Sequence, residues 1–209
     1  MDKNEMRLLI VELSHSSGTR TVLQEVVPRF SSTCSRVFYC GHNASSWKPL
    51  LSKDSFSFGD LFTSQKKWSD MFLNRVLPDN KVEDFIWLLL ERFIKVNNVT
   101  HVFLPWLIEH SIPRLSVPSA GLFMDLLWRH YPIDFSTKEC IESILYQNFK
   151  NIDITFPVSF ASSKELSNTF NLSFSKPIPI PHGSRIPVEL SSKPLLEAKQ
   201  RILKSDYFL

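Results

Sequence analysis

The sequence predicts an α/β protein in which helices cover both faces of a mostly parallel sheet. Short apolar runs, typical of buried strands, alternate six or seven times with segments whose apolar residues recur at helical spacing. Three of the helical segments begin with a capping box, a Ser or Asn followed three positions later by Glu. Such alternation indicates parallel strands that are joined by helical crossovers.

Strands are predicted where an apolar run lacks a helical period. They cover residues 6–13, 36–40, 100–106, 119–125, 152–159 and 178–180. Gly41 closes the second of them. In parallel sheets with helical crossovers, ligands bind beyond the carboxyl ends of the strands, so the loops that follow these runs are the first places to look for chemistry.

Helices are predicted from apolar residues at i, i+3 and i+4. The first covers residues 19–30, and Pro28 is expected to kink or end it. The capping boxes that open at Asn80, Ser136 and Ser162 predict three more helices, of which the first ends near Asn97.

Two stretches have a weaker pattern. A short helix broken by Pro113 is predicted for residues 108–115. Residues 43–80 are expected to hold one short strand and one or two short helices.

Composition narrows the class of protein. The 43% of hydrophobic residues, with 17 Phe and five Trp, are sufficient for a sizeable core. The basic residues are dispersed apart from Lys66 and Lys67, so no nucleic-acid partner is expected. Three cysteines without a CxxC spacing indicate reduced thiols in the cytoplasm. No apolar run approaches the roughly 20 residues of a membrane-spanning helix, whereas peripheral contact with a membrane stays open.

The loop after the first predicted strand is a candidate binding loop. Gly18 removes side-chain bulk where backbone N–H groups at a helix start can face an anion, and Arg20 follows one turn into the helix. His15, Ser17 and Thr19 complete the candidate loop. The alternative is a plain turn with a Ser N-cap, and the spacing matches neither a dinucleotide-binding fingerprint nor a P-loop.

A second candidate site follows the strand at 119–125. Asp125 and His130 bring a carboxylate and an imidazole to the carboxyl edge of the sheet, where they can orient a hydroxyl or take its proton. The alternatives are that Asp125 caps the next turn and that His130 is a surface residue. No pair of residues has the spacing of metal ligands, so no metal site is expected.

Residues 157–183, PVSFASSKELSNTFNLSFSKPIPIPHG, read as a strand, a capped helix and a strand that ends in Pro-His-Gly. This order resembles the end of the N-terminal domain of family 4 glycosyltransferases, which have the two-domain GT-B fold. Asp125 and His130 match positions in the family's His-Asp-Leu and His-aromatic-Pro segments, while Met124 stands where many members have His. His182 and Gly183 match the turn at the hinge between domains.

The resemblance implies a Rossmann-like acceptor-side domain over residues 1–185, the N-terminal half of a GT-B fold. A linker and the start of a donor-binding domain would occupy 186–209. It implies transfer of a sugar from a nucleotide diphosphate sugar to a hydroxyl of a glycan or lipid-linked acceptor, with retention and without a metal or other cofactor. The chain alone is then expected to be nearly inactive, because the domain that binds the nucleotide sugar is missing.

Two other classes stay open. One is a Rossmann-like module that binds a nucleotide or a partner without catalysis. The other is a small α/β hydrolase of phosphate esters, for which the sequence offers no arrangement of nucleophile and base.

Overall fold

The structure, a computed structural model, describes residues 5–12, 17–41, 44–57, 80–108, 110–124, 126, 135–170 and 177–179. The strands in these ranges are β1 (Arg7–Val11), β2 (Arg36–Gly41), β3 (Phe56–Ser57), β4 (His101–Leu104), β5 (Ser119–Phe123) and β6 (Ile154–Pro157). The helices are α1 (Ser17–Thr33), α2 (Ala44–Trp47), α3 (Asn80–Val96), α4 (Phe135–Asn151) and α5 (Phe160–Phe170). A 3-10 helix at Lys48–Leu50 follows α2.

The strands form one parallel sheet in the order β3-β2-β1-β4-β5-β6. The chain starts in the centre, moves outward to β3, returns to β4 beside β1, and then moves outward in the other direction. In the centre of the sheet, Ile10 is paired with Tyr39 on one side and with Phe103 on the other. This is the strand order of the Rossmann fold. The predicted class, a Rossmann-like parallel α/β sheet, is therefore confirmed.

Helices lie on both faces of the sheet, as the sequence predicts. The face covered by α3, α4 and α5 buries Leu9, Phe38, Ile86, Leu90, Phe123, Leu145, Phe149 and Leu166. The face covered by α1 buries Leu8, Ile10, Val22, Leu23, Val27, Val37 and Tyr39. Because successive side chains of a strand point to opposite faces, the continuous apolar run of β1 is buried on both sides.

The stretch between β4 and β5 is irregular, so the short helix predicted for residues 108–115 is wrong in the part that is described. The fully buried side chain of Asn148 on α4 organises this stretch instead. Its Nδ2 donates to the carbonyls of Leu107 (2.7 Å) and His110 (2.8 Å), and its Oδ1 accepts from the N–H of Ile112 (2.7 Å). Backbone groups that are bonded to a side chain in this way no longer form a helical ladder.

Two helices begin earlier than their capping boxes predict. Ser159, not Ser162, is the N-cap of α5, because its Oγ accepts a hydrogen bond from the N–H of Ser162 (3.0 Å). Ser162 lies in the first turn, and its hydroxyl donates to the carbonyl of Met124 (2.9 Å). Helix α4 begins one residue before its predicted cap, Ser136.

Helix α1 contains Pro28 and continues to Thr33, instead of ending near the proline. A proline inside a helix lacks an N–H and so removes one hydrogen bond of the helical ladder. On the side of α1 that faces the sheet, Leu23 and Val27 are fully buried. We attribute the continuation of the helix to this packing.

The remaining predicted elements are partly described. Within residues 44–57 lie α2, the 3-10 helix and β3, in agreement with the one strand and short helices predicted there. Residues 177–179 form no strand, although the N–H of Ile178 donates to the carbonyl of Thr155 in β6 (3.0 Å). The predicted hinge at His182 and Gly183 and the linker at 186–209 lie outside the described residues.

Candidate functional site

The carboxyl edge of the sheet changes direction between β1 and β4. The connection after β1 leads toward β2, and the connection after β4 leads toward β5, and ligands of such sheets bind at this switch point. The described residues at this edge include Glu12 after β1, Gly41 at the end of β2, Pro105 after β4 and Met124 after β5. This edge is the first candidate for a binding site in a sheet of this topology.

Four residues of the predicted binding loop lie in the first turn of α1 at this edge. Ser17 and Gly18 are the first two residues of the helix rather than part of a loop, and their side chains are outside the description. Thr19 is fully buried, whereas Arg20 is exposed. Arg20 is therefore accessible to a ligand, while Thr19 contributes to packing. His15 lies outside the described residues.

A buried carboxylate that the sequence analysis missed also lies at this edge. Glu12 directly follows β1, is fully buried, and donates its N–H to the carbonyl of Cys40 (2.8 Å). Its Oε2 accepts a hydrogen bond from the hydroxyl of Tyr39, which is itself fully buried on β2. Among the carboxylates in the described part of the chain, only Glu12 is fully buried. Burial of a carboxylate is unfavourable without hydrogen bonds, and the bond from Tyr39 offsets part of this cost.

Gly41 provides the space for this pair. A Cβ atom at position 41 would lie 2.7 Å from the Cβ of Glu12 and 3.0 Å from its Oε2. It would also lie 3.0 Å from the Cζ of Tyr39. The distance of 2.7 Å is shorter than carbon atoms tolerate, and the two distances of 3.0 Å are tight, so any side chain at position 41 would displace Glu12.

Asp125 and His130, the predicted catalytic pair, lie outside the described residues. The residue before Asp125 is described: Met124 is half-buried and packs against the core on the α1 face of the sheet. Its carbonyl accepts the hydrogen bond from the hydroxyl of Ser162. The position where the family often has His thus holds a packed thioether, and its backbone is tied to α5.

Two tryptophans near this edge have an unused hydrogen-bond donor. The Nε1 atoms of Trp106, two residues after β4, and of Trp47, at the end of α2, are buried and have no hydrogen-bond partner among the residues that the structure describes. A buried donor without a partner costs about 1–3 kcal/mol. A polar ligand atom that reaches either indole N–H would recover part of this energy. Nearby, Phe160 at the start of α5 is 71% exposed.

The three cysteines are free, and two of them have a raised pKa. Burial raises the pKa of the Cys40 thiol well above its ordinary value. Burial also raises the pKa of Cys34, against a smaller lowering by the hydrogen bond with Thr33. A raised pKa keeps a thiol neutral and poorly nucleophilic, so neither residue is suited to covalent catalysis.

Within the described ranges, no group of three His, Cys, Asp or Glu side chains is arranged to hold a metal ion. None of the helices in the described part of the chain is long and apolar enough to cross a membrane.

No model of a protein family matches the sequence, and a search of curated proteins finds no match. The class of the fold therefore follows from the sheet topology, and hypotheses about function rest on the residues at the carboxyl edge.

Proposed function

We propose that this chain is the N-terminal, acceptor-side domain of a GT-B glycosyltransferase similar to family 4. In the proposed reaction the bond between the anomeric carbon of a sugar and a nucleoside diphosphate breaks. A bond from that carbon to an acceptor hydroxyl forms with retention of configuration, and the hydroxyl loses its proton. A second domain binds the nucleotide, and no metal takes part. The acceptor is a glycan or a lipid-linked molecule. The proposed location is the cytoplasm, in line with three cysteines that lack a CxxC spacing, with peripheral contact to a membrane if the acceptor is lipid-linked.

The proposal rests mainly on the order of elements around β6. In the family that the sequence resembles, a strand that closes on Ser leads into a short helix. Here β6 ends at Pro157, and Ser159 caps α5 through the N–H of Ser162. The resemblance is most specific in this segment. The strand and the capped helix have counterparts in β6 and α5, whereas residues 177–179, where the resemblance requires a second strand, form none.

The first turn of α1 provides further support. The first N–H groups of a helix have no partner within the helix, and the positive end of the helix dipole lies there. With the exposed guanidinium of Arg20, this end of α1 suits the diphosphate of a nucleotide sugar. The Rossmann strand order brings it to the same edge of the sheet as the chain that leaves β5 toward Asp125.

In the proposed mechanism Asp125 and His130 act on the acceptor. The carboxylate orients the reacting hydroxyl, and the imidazole or the carboxylate accepts its proton as the new bond forms. Met124 takes no part in proton transfer, since a thioether has no suitable acid or base.

The test uses the protein in its natural form, purified from its source cells, with a panel of UDP-, GDP- and ADP-sugars. We expect an intact mass well above the 24.2 kDa of this chain and release of nucleoside diphosphate that depends on an acceptor. NMR of the product should show a retained anomeric configuration. Asp125→Asn should lower this turnover by at least about 100-fold, the lower range for a lost acid–base group. Robust sugar transfer by residues 1–209 alone, or no transfer with any donor, would contradict the proposal.

One observation favours a second candidate, a Rossmann-like module that binds a nucleotide or a partner without catalysis. The packed side chain of Met124 occupies the position of a histidine that is often assigned to catalysis in the family. This candidate predicts that nucleotide binding, measured by calorimetry, survives both Asp125→Asn and His130→Ala. A natural chain with a mass near 24.2 kDa would favour it.

A further inference from the structure

A cleft with two arginines lies at the amino-terminal edge of the sheet, at the opposite end of the strands from the candidate site. Its volume is about 420 Å³. It is lined by Glu5, Arg7, Ser35, Arg36, Asn98 and Thr100. These residues lie where β1, β2 and β4 begin, so the cleft is separate from the candidate site at the carboxyl edge.

The two arginines are neighbours in the sheet. Arg7 and Arg36 are the first residues of β1 and β2 and are partners in the parallel register. Their side chains therefore leave the sheet on the same face, next to each other. Like charges at such neighbouring positions destabilise a sheet. The arrangement needs a source of negative charge to offset this repulsion.

Among the described residues, such a source is present for Arg7 and not for Arg36. The half-buried Arg7 donates from Nη1 to the carbonyl of Asn97 (2.9 Å), at the carboxyl end of α3. The partial negative charge of that helix end stabilises its guanidinium. Arg36 is exposed, and in the described part of the chain its guanidinium has no ion pair or hydrogen bond. Glu5 adds one carboxylate to the lining against the two guanidinium groups, which leaves the cleft with a positive balance.

The backbone around the cleft is fixed. The hydroxyl of Thr100 accepts from the N–H of Arg7 (2.9 Å) and donates to its carbonyl (3.1 Å). Asn98 adopts the left-handed backbone conformation (φ 49°) that commonly ends a helix. The bonds with Thr100 hold the start of β1 against the chain before β4, and the bond from Arg7 to the carbonyl of Asn97 holds it against the end of α3. The position of Arg7 is thus set before any ligand arrives.

We propose that this cleft binds a phosphoryl group between Arg36 and Arg7. A guanidinium offers several N–H donors in a plane that matches the oxygens of phosphate. A dianion also removes the repulsion between the two neighbouring arginines. The phosphoryl group belongs either to a small soluble ester or to a lipid headgroup, since both present the same oxygens to the cleft. This site goes beyond the proposed sugar transfer and does not depend on it.

The first experiment is an NMR titration of the whole chain, labelled with ¹⁵N, with inorganic phosphate at constant ionic strength. We expect saturable shifts of amide signals at the start of β1 and β2 and after α3. Arg36→Gln should raise the Kd by about tenfold or more, as expected for the loss of a hydrogen bond to a charged group. Arg29→Gln, a matched change at an exposed arginine of α1 that does not line the cleft, should leave the Kd unchanged.

The proposal is overturned if the shifts do not saturate, or if the two variants weaken binding equally. Sedimentation with vesicles then distinguishes the sources of the phosphoryl group. Binding to phosphatidic acid in phosphatidylcholine, lost in Arg36→Gln and kept in Arg29→Gln, assigns the cleft to a lipid headgroup. If the binding of inorganic phosphate depends on Arg36 and the binding of vesicles does not, the cleft is assigned to a soluble phosphate ester.

Discussion

The hydrogen bond between Tyr39 and Glu12 can be tested by removing one atom. Tyr39→Phe deletes the hydroxyl and keeps the ring, which is fully buried in the core on the α1 face. A hydrogen bond to a carboxylate contributes about 1.5–3 kcal/mol. Because Glu12 is 0% exposed, water does not replace the lost donor. We expect the free energy of unfolding to fall by about 2 kcal/mol, which corresponds to about 4–8 °C in Tm for a chain of this size.

Urea unfolding, followed by tryptophan fluorescence, measures this change. Tyr146→Phe is a matched control, because Tyr146 is 41% exposed on α4 and its contact with Lys150 is made by the ring, which Phe retains. The control should change the free energy of unfolding by less than about 0.5 kcal/mol. If Tyr39→Phe changes it no more than the control does, the hydrogen bond does not stabilise the fold and our account of the buried carboxylate is wrong.

Two further predictions concern other buried groups. Asn148→Ala removes three hydrogen bonds and should lower the free energy of unfolding by about 3 kcal/mol or more. Urea unfolding measures this change. A loss below about 1 kcal/mol contradicts the role of Asn148 in holding the irregular stretch between β4 and β5. Burial raises the pKa of Cys40, so the folded state keeps this proton at pH values where the unfolded thiol, with a pKa of about 8.5, loses it. The stability that this group contributes is therefore present below that pH and is lost progressively as the pH rises toward the folded-state pKa. Cys40→Val should flatten the decline of the free energy of unfolding measured between about pH 8 and 10, and an unchanged slope would refute this assignment.

The class of the fold was predictable because it depends on local patterns. The apolar run of β1 is buried on both faces, which is what a continuous run without polar alternation indicates. Helix α3 follows its apolar period from Asn80 to Val96, one residue short of the predicted end. Each of these signals is complete within about twenty residues, the range over which periodicity carries information.

The errors arise where residues distant in sequence decide the local structure. Residues 108–115 have apolar spacing that suits a helix, but the side chain of Asn148, 36 positions beyond Ile112, binds their backbone. At α5 the sequence offered two serines three positions apart. Ser159 caps the helix, while the hydroxyl of Ser162 is bound to the carbonyl of Met124, which follows β5 and is 38 positions away.

The candidate site was predictable in part for the same reason. The start of α1 with Arg20 was found, since a loop between a strand and a helix is a local feature. The pairing of Glu12 with Tyr39 was missed. The two residues are 27 positions apart and meet only because β1 and β2 lie in a particular register, with Gly41 leaving room.

The hydrogen bond from Ser162 to Met124 has a mechanical consequence. It joins the first turn of α5 to the last described carbonyl before Asp125, across 38 positions of chain. The same turn of the helix carries Phe160, whose side chain is 71% exposed. The first turn of α5 and the carbonyl at the end of β5 are therefore held at hydrogen-bond distance from each other, so the position of the chain where it leaves β5 is tied to the position of this helix.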